Sequence, residues 1–433
     1  MDFAEWGRLA SADLVPGLNP NEASRRPGAT LDQSDPLYDL LFVEFDDQGR
    51  PFVPTAVDDA MAHLAAVAAE ADPLIVVFVH GWKHGARDSD DNVKSFRRLL
   101  HAHAHAELLV PGENGRRRRV VGLYVGWRGL TWHWLNILQN VTFWGRKEGA
   151  LRVALDSVRE LFARLRKFRL SEARPDGSGP RLVIAGHSFG GLIVFSAVAE
   201  YLIESVAVPK DVLDPVAPFG DLTILVNPAF EAARYHPLHS ILANRRFSTQ
   251  QQVPVFMSVT AENDWATGIA FPAGRMIGWN GATKGPRECS TNFKTMGHVP
   301  WMRTHELSAP GLRAGQARHK LIETTQLTDE ERLAVRTRED AAFRAFVATE
   351  VDENGLLKAG WSRAYSSGAL LRQVQPKPAP GEAGIAPNCP FWVVRATKEV
   401  VDGHNGIFRT VFLDFLRQVL DDVVRAPATK PPE

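Results

Sequence analysis

The feature that most constrains the fold of this chain is the run RLVIAGHSFGG at residues 181–191. Leu182 to Ala185 form a short apolar stretch typical of a buried strand, and an apolar helical pattern follows the run. Between them lies Gly-x-Ser-x-Gly. The glycines at 186 and 190 have no Cβ, so a tight turn can close around Ser188. The run predicts a strand–turn–helix unit with Ser188 at a strained turn and the first N–H groups of the helix directed toward it.

Strands and helices are predicted to alternate along the whole chain. Apolar stretches at 38–45, 74–79, 120–125, 182–185, 222–226, 253–259 and 391–396 are interpreted as strands. Amphipathic patterns between them are typical of helices. This alternation predicts an α/β fold with a mostly parallel central sheet flanked by helices.

The predicted core comprises residues 36–265 and 389–424. Residues 1–35 are rich in Pro, Asn, Ser and Arg and are expected to form an irregular leader. Residues 266–388 separate two predicted strands and are too many for a structureless loop, so an insertion or cap subdomain is expected there. The Pro-rich residues 425–433 are predicted to be a flexible tail.

Composition narrows the choice of partners and compartment. Lys plus Arg and Asp plus Glu both number 50, so no global charge favours a nucleic-acid partner. The N-terminus lacks a basic and apolar signal pattern, and no apolar stretch is long enough to span a membrane. A cytoplasmic location is predicted, with signal-independent export left open. Cys289 and Cys389 are too few for a disulfide framework, so free thiols are favoured over one bridge.

A serine hydroxyl needs a histidine to accept its proton and an acid to orient that histidine. Asp264 lies just beyond the predicted strand 253–259 and is the favoured acid. Glu262 is its rival, being two residues nearer the strand, and Glu231 is a more distant third. A solvated loop carboxylate is the alternative interpretation of Asp264.

The favoured histidine is His404, which lies in DGHNG between the last predicted strand and the last predicted helix. Glycines on both sides suit a loop that must aim one side chain at the serine. His298 and His305, both within residues 266–388, are the competitors.

The run VFVHGW at residues 77–82 ends a predicted buried strand. A turn at this place can supply a backbone N–H to an oxyanion hole, so Trp82 and Phe189 are the predicted oxyanion donors. His80 is then expected to be structural. Metal binding by His80, His84 and Asp88 is conceivable, but nothing requires it, and no metal or cofactor is predicted.

Together, VFVHGW, GHSFGG, Asp264 and DGHNG resemble the α/β-hydrolase superfamily of serine hydrolases, over about residues 38–265 and 389–424. The resemblance implies the α/β-hydrolase fold and hydrolysis of esters or related acyl compounds without a cofactor. The large insertion between acid and histidine departs from the simple pattern, which leaves the architecture of a cap undetermined.

Four tryptophans in residues 127–144 bear on the substrate. They could form an apolar wall or lid over an acyl-binding cleft, or pack in the core. The candidate substrate contacts are His187, Trp127 and Trp265. We expect a carboxylesterase or lipase acting on a small-molecule or lipid ester. A membrane-acting phospholipase or exported lipase effector, and an inactive hydrolase fold used for binding, are the alternatives.

Overall fold

The structure is a computed structural model of the 433-residue chain. It describes residues 31–46, 48–81, 84–108, 116–127, 150, 153, 157–207, 215–247, 253–272, 283, 285–311, 328–378 and 384–425. Residues 1–30 of the predicted leader 1–35 and residues 426–433 of the predicted tail 425–433 lie outside the described residues, whereas Leu31–Asp32 of the leader form a short strand.

One sheet of eleven strands organises the described part of the chain. Its strands are β1 (Leu31–Asp32), β2 (Tyr38–Phe45), β3 (Asp72–Val79), β4 (Arg118–Trp127), β5 (Arg181–His187), β6 (Leu222–Val226), β7 (Phe256–Ala261), β8 (His305–Ser308), β9 (Ser362–Ala364), β10 (Leu370–Gln373) and β11 (Phe391–Ala396). Their order across the sheet is β1-β2-β4-β3-β5-β6-β7-β11-β8-β10-β9. The pairs from β2 to β8 are parallel, while β1 and the pairs of β10 are antiparallel.

Helices connect the strands. The α-helices are α1 (Ala56–Glu70), α2 (Asp91–Leu108), α3 (Ser157–Ser171), α4 (Phe189–Ala207), α5 (Ala232–Leu242), α6 (Pro286–Phe293), α7 (Asp329–Glu350) and α8 (Thr410–Arg425). A π-helical turn at Ala266–Ala270 and 3₁₀ turns at Met296–His298 and Pro300–Met302 lie between β7 and β8. The predicted α/β class with a mostly parallel sheet flanked by helices is confirmed.

Alternate side chains of each central strand enter two separate cores, because successive residues of a strand face opposite sides of the sheet. In β3, Ile75, Val77 and Val79 pack with α1, α3 and α4 on one face. Leu74, Val76 and Phe78 pack with α2 and α8 on the other. Burial on both faces explains why the central strands are continuous apolar runs rather than alternating ones.

The chain reverses its direction across the sheet at β3. Strand β3 lies between β4 and β5, so the connections that follow β3 and β5 leave toward opposite faces, to α2 and α4 respectively. In open α/β sheets, such a switch point leaves a crevice at the carboxyl ends of the strands, where ligands commonly bind. Ser188 lies at these carboxyl ends, directly after β5.

Part of the segment predicted as an insertion or cap extends the central sheet. Strand β8 pairs in parallel with β11, and β10 and β9 continue the sheet as antiparallel edge strands. Leu307, Trp361 and Leu371 join the same core as β11. These residues therefore belong to the sheet's far edge.

Helix α4 is, among the described residues, the one helix long and apolar enough to cross a membrane by length and composition alone. It is mostly buried inside the protein against β5 and β6, as a core helix is. This feature is therefore only a weak indication of membrane insertion.

Both cysteines have free thiols. Cys289 is exposed in α6, whereas Cys389 is buried just before β11. Burial raises the pKa of the Cys389 thiol to about 12, so it behaves as a small apolar side chain.

Candidate active site

Ser188 occupies a sharp turn between β5 and α4. Its φ of 56° lies in the left-handed region, which is costly for a residue with a Cβ. The turn is held by hydrogen bonds from both backbone groups of the serine: Ser188 N donates to Val226 O at 3.0 Å, and Ser188 O accepts from Ala229 N at 3.0 Å. The end of strand β6 and the residues just after it therefore stabilise the strained conformation.

Glycines are required at this turn because other backbone segments come very close. A Cβ on Gly190 would lie 2.1 Å from Val79 O, and one on Gly186 would lie 2.5 Å from Gly190 O. A Cβ on Gly81 would lie 2.9 Å from the Cβ of Ser188. The end of β3 is thus packed directly against the serine turn.

Ser188, His404 and Asp264 form one continuous hydrogen-bonded chain. The Nε2 atom of His404 lies 2.8 Å from Ser188 Oγ. Its Nδ1 atom lies 2.9 Å from Asp264 Oδ2 and 3.1 Å from Oδ1. His404 is 22% exposed, whereas the Asp264 side chain is 0% exposed. The carboxylate of Asp264 is therefore buried, whereas the imidazole of His404 is partly accessible from solvent.

Asp264 is stabilised as a carboxylate. Burial by itself would raise its pKa, but hydrogen bonds from His404 and Thr267 outweigh that effect and lower the pKa from its ordinary value. The backbone N–H groups of Ala266 and Thr267 also donate to Oδ1, at 3.0 and 3.2 Å. A negative charge is thus held in place beside the ring of His404.

The rival acids lie elsewhere. Glu262 Oε1 accepts a hydrogen bond from the backbone N–H of Lys398 at 3.1 Å and is not part of the hydrogen-bonded group that contains His404. Glu231 precedes α5 and pairs with Arg234 at 3.3 Å. Between the alternatives that the sequence left open, the structure places Asp264 against His404.

The two rival histidines, His305 and His298, lie away from the serine. His305, in β8, is buried among Trp361 and Trp392, and burial lowers its pKa to about 3. His298 has its Nε2 atom 3.1 Å from Thr267 Oγ1, which itself donates to Asp264. Neither of them contacts Ser188.

The loop that carries His404 is clamped by side chains that the sequence analysis missed. Asn227 Nδ2 donates to His404 O at 2.8 Å and to Gly403 O at 3.1 Å, while its Oδ1 accepts from Ala261 N at 2.8 Å. Asn227 is fully buried at the end of β6 and has a φ of 45°. A polar residue directly after the apolar strand LTILV is the signal that could have identified it.

His187, a predicted substrate contact, belongs to the same clamp. It is buried, and its Nε2 donates to His404 O at 2.9 Å. Burial, reinforced by nearby His404, lowers the pKa of His187 to about 3, so the ring is neutral. The structure therefore gives His187 a role in holding the loop rather than a surface for substrate.

We predict that Asn227→Asp lowers the free energy of unfolding by about 2–4 kcal/mol, since it places a carboxylate oxygen against two buried carbonyl oxygens. The Oδ1 acceptor and the tolerance of positive φ are retained, so the effect isolates the lost donor. Urea unfolding measures it. The control is Asn244→Asp at an exposed position two residues after the end of α5, where a change within about 0.5 kcal/mol is expected. Equal effects of the two variants would contradict the clamp.

One of the two predicted oxyanion donors lies within the described residues. Phe189 begins α4 directly after Ser188 and is buried, whereas Trp82 lies outside the described residues. His80, just before Gly81, is fully buried: its Nδ1 donates to Gly81 O at 2.7 Å, and its Nε2 accepts from Trp127 N at 3.0 Å. Burial lowers its pKa to about 4, consistent with the structural role expected for this histidine.

The two tryptophans predicted to contact substrate differ in their surroundings. Trp127 is 3% exposed, stacks on His80 and donates from Nε1 to His80 O at 2.8 Å, which is core packing. Trp265 follows Asp264 and is 65% exposed. Residues 128–144, which carry the other three tryptophans of the aromatic segment, lie outside the described residues.

The candidate metal ligands take other partners. His84 Nδ1 lies 3.1 Å from Asp90 Oδ1, and Asp88 pairs with Arg97 at 2.7 Å. Within the described ranges, no group of three or more His, Cys, Asp or Glu side chains is arranged to hold a metal ion.

Comparisons with known proteins add no relative. No protein-family model matches the chain, and neither the curated proteins nor the solved structures contain a match.

Proposed function

We propose that this protein is a serine hydrolase of the α/β-hydrolase superfamily that cleaves carboxylic esters through an acyl-enzyme. The observation that carries the proposal is the unbroken Ser188–His404–Asp264 hydrogen-bond chain. Its three members come from separate loops, which follow β5, β7 and β11 at the carboxyl ends of these parallel strands. The order serine, acid, histidine along the chain is the order of that superfamily.

In the proposed mechanism, His404 Nε2 accepts the Ser188 proton while Oγ attacks the ester carbonyl. The backbone N–H of Phe189, at the start of α4, holds the negative oxygen together with that of Trp82, the second donor that the sequence predicts. Asp264 stabilises the protonated imidazole. His404 then gives the proton to the leaving alkoxide, and water, activated by His404, releases the acid and frees Ser188. The reaction is balanced without a cofactor.

An apolar acyl or lipid substrate is supported by the surface next to the acid. Trp265 is 65% exposed and Ile269 is 60% exposed, one helical turn apart on the segment that follows Asp264. Exposed large apolar side chains beside a reactive site are typical of surfaces that bind apolar ligands. This favours a carboxylesterase or lipase, and also keeps a phospholipase acting on membranes as the second candidate.

We predict that the full chain hydrolyses p-nitrophenyl esters in a series from acetate to palmitate, with higher kcat/KM for longer acyl chains than for acetate. Activity should fall as pH is lowered, because protonated His404 cannot accept the serine proton. Initial rates across chain length and pH measure this. Hydrolysis of phosphatidylcholine vesicles in preference to soluble esters would favour the phospholipase. Absence of all activity and of labelling by a serine-directed phosphonate would favour the inactive binding protein.

A further inference from the structure

A second set of hydrogen-bonded side chains ends at Asp264, in addition to His404. Thr267 Oγ1 donates to Asp264 Oδ2 at 2.5 Å, and His298 Nε2 lies 3.1 Å from Thr267 Oγ1. The Nη1 atom of Arg395, in β11, lies 3.4 Å from His298 Nδ1. The acid is thus linked to two histidines: directly to His404, which contacts the serine, and through Thr267 to His298.

The chemistry of the donors sets one direction for this chain. A guanidinium only donates, so His298 Nδ1 accepts from Arg395. Burial, together with the positive charge of Arg395, lowers the pKa of His298 to about 4. The neutral ring then carries its proton on Nε2 and donates to Thr267 Oγ1. The single hydroxyl hydrogen of Thr267 is left for Asp264, and every link donates toward the carboxylate.

Local backbone features place these groups. Thr267 is 1% exposed, within the π-helical turn Ala266–Ala270. A Cβ on Gly268 would lie 3.1 Å from Cε1 of His298, so glycine allows the ring to approach the turn closely. His298 belongs to the 3₁₀ turn Met296–His298, in the segment between the acid and the histidine loops.

We propose that Thr267 and His298 are positioning residues that hold the Asp264 carboxylate and moderate its effect on His404. This inference rests on the proposed hydrolase function. The hydroxyl of Thr267 donates a hydrogen bond to the Asp264 carboxylate and thereby partly neutralises its charge. The carboxylate then stabilises the protonated form of His404 less strongly. The segment between β7 and β8, outside the predicted core, thereby positions the acid that contacts the base.

Other charged and titratable groups also lie around the hydrogen-bonded residues Asp264, Thr267 and His298. They are His404 and His187 on the serine side of Asp264, and Arg395, Arg303 and Lys294 around His298. Substitution at Thr267 changes none of these charges, so a shift in pH dependence reports the lost hydroxyl.

The test compares Thr267→Val, which removes the hydroxyl at nearly constant volume, with Thr267→Ser, which retains it. For Thr267→Val we expect kcat to fall about tenfold with little change in KM, because the Asp264 carboxylate loses the hydrogen bond that fixes its orientation toward His404 and this loss outweighs its stronger charge. The pH of half-maximal kcat/KM on the acid side should rise by roughly half a unit. Thr267→Ser should restore both values, and His298→Leu should shift the profile in the same direction by less.

Thr291→Val is the matched control, because among the described residues the Thr291 hydroxyl donates to carbonyls of its own helix, α6. It should leave rate and pH profile unchanged. If Thr267→Val fails to fold, the downfield proton resonance of His404 Nδ1–H decides instead: relative to the parent protein it should move in folded His298→Leu and stay in place in folded Thr267→Ser. An unmoved resonance in His298→Leu, or an unmoved pH profile in a folded Thr267→Val, would overturn the inference.

The two proposals can fail separately. A parent protein that is neither active nor labelled at Ser188 by a phosphonate would refute the hydrolase function. A labelled, active parent whose Thr267→Val variant keeps its rate and pH profile would refute only the positioning role.

Discussion

Replacing Ser188 with alanine is expected to reduce kcat/KM for ester hydrolysis by on the order of 10⁵-fold. The reason is that no other group lies at hydrogen-bond distance from His404 Nε2 in the described site, so the variant has no nucleophile to activate. We expect a larger loss from this substitution than from Asp264→Asn or Thr267→Val. Initial rates with the best ester of the p-nitrophenyl series measure it.

Stability should not account for that loss. Removal of the Ser188 hydroxyl leaves the backbone hydrogen bonds of the turn to Val226 and Ala229 in place. The urea unfolding midpoint should therefore stay within the range of ordinary surface variants. Ser196→Ala, one serine further along α4, is the matched control and should retain full activity. Full activity in Ser188→Ala would mean that the nucleophile lies elsewhere.

Asp264→Asn is expected to lower kcat by on the order of 10⁴-fold, the second largest effect. An amide keeps the shape of the side chain but offers an N–H toward His404 Nδ1, which favours the wrong tautomer of the ring and removes the charge that stabilises the imidazolium. Steady-state kinetics measure kcat and KM separately, and KM should change little.

Glu262→Gln tests the alternative acid that the sequence left open. Its carboxylate accepts only from the backbone N–H of Lys398 among the contacts described, so a change of less than about twofold in kcat is expected. If Glu262→Gln were as damaging as Asp264→Asn, the assignment of the acid by geometry would be wrong.

The local signals in the sequence predicted the centre of the fold well. Strands 38–45, 222–226 and 391–396 are observed at the predicted bounds, because continuous apolar runs leave few alternatives for burial. Ser188 and His404 were marked by glycine-rich turns next to a strand. These features depend on neighbours in the chain, which a single sequence contains.

Other parts of the structure depend on contacts between distant residues. Strands β8, β9 and β10 are three or four residues long and acquire their strand conformation from pairing with β11 and each other. No period can be recognised in so short a run, so the sequence indicated only an insertion. Asn227 and His298 likewise contact partners far along the chain, at His404 and Thr267 respectively.

The tryptophans show a further limit. Trp127 and Trp265 are the same residue type in loops or strand ends near the site, yet one is enclosed against His80 and the other is exposed. An apolar ring fits a core and a ligand surface equally well, and only the surrounding packing decides between them.

Covalent labelling shows whether Ser188 is a nucleophile activated by His404. The folded full chain would be treated with a fluorophosphonate and digested, and the adduct located by mass spectrometry. We expect one adduct, on Ser188, that forms more slowly at low pH and is absent in Ser188→Ala and greatly slowed in His404→Ala. An unlabelled Ser188 in the folded parent protein, or an equal rate in His404→Ala, would mean that Ser188 is not activated in this way.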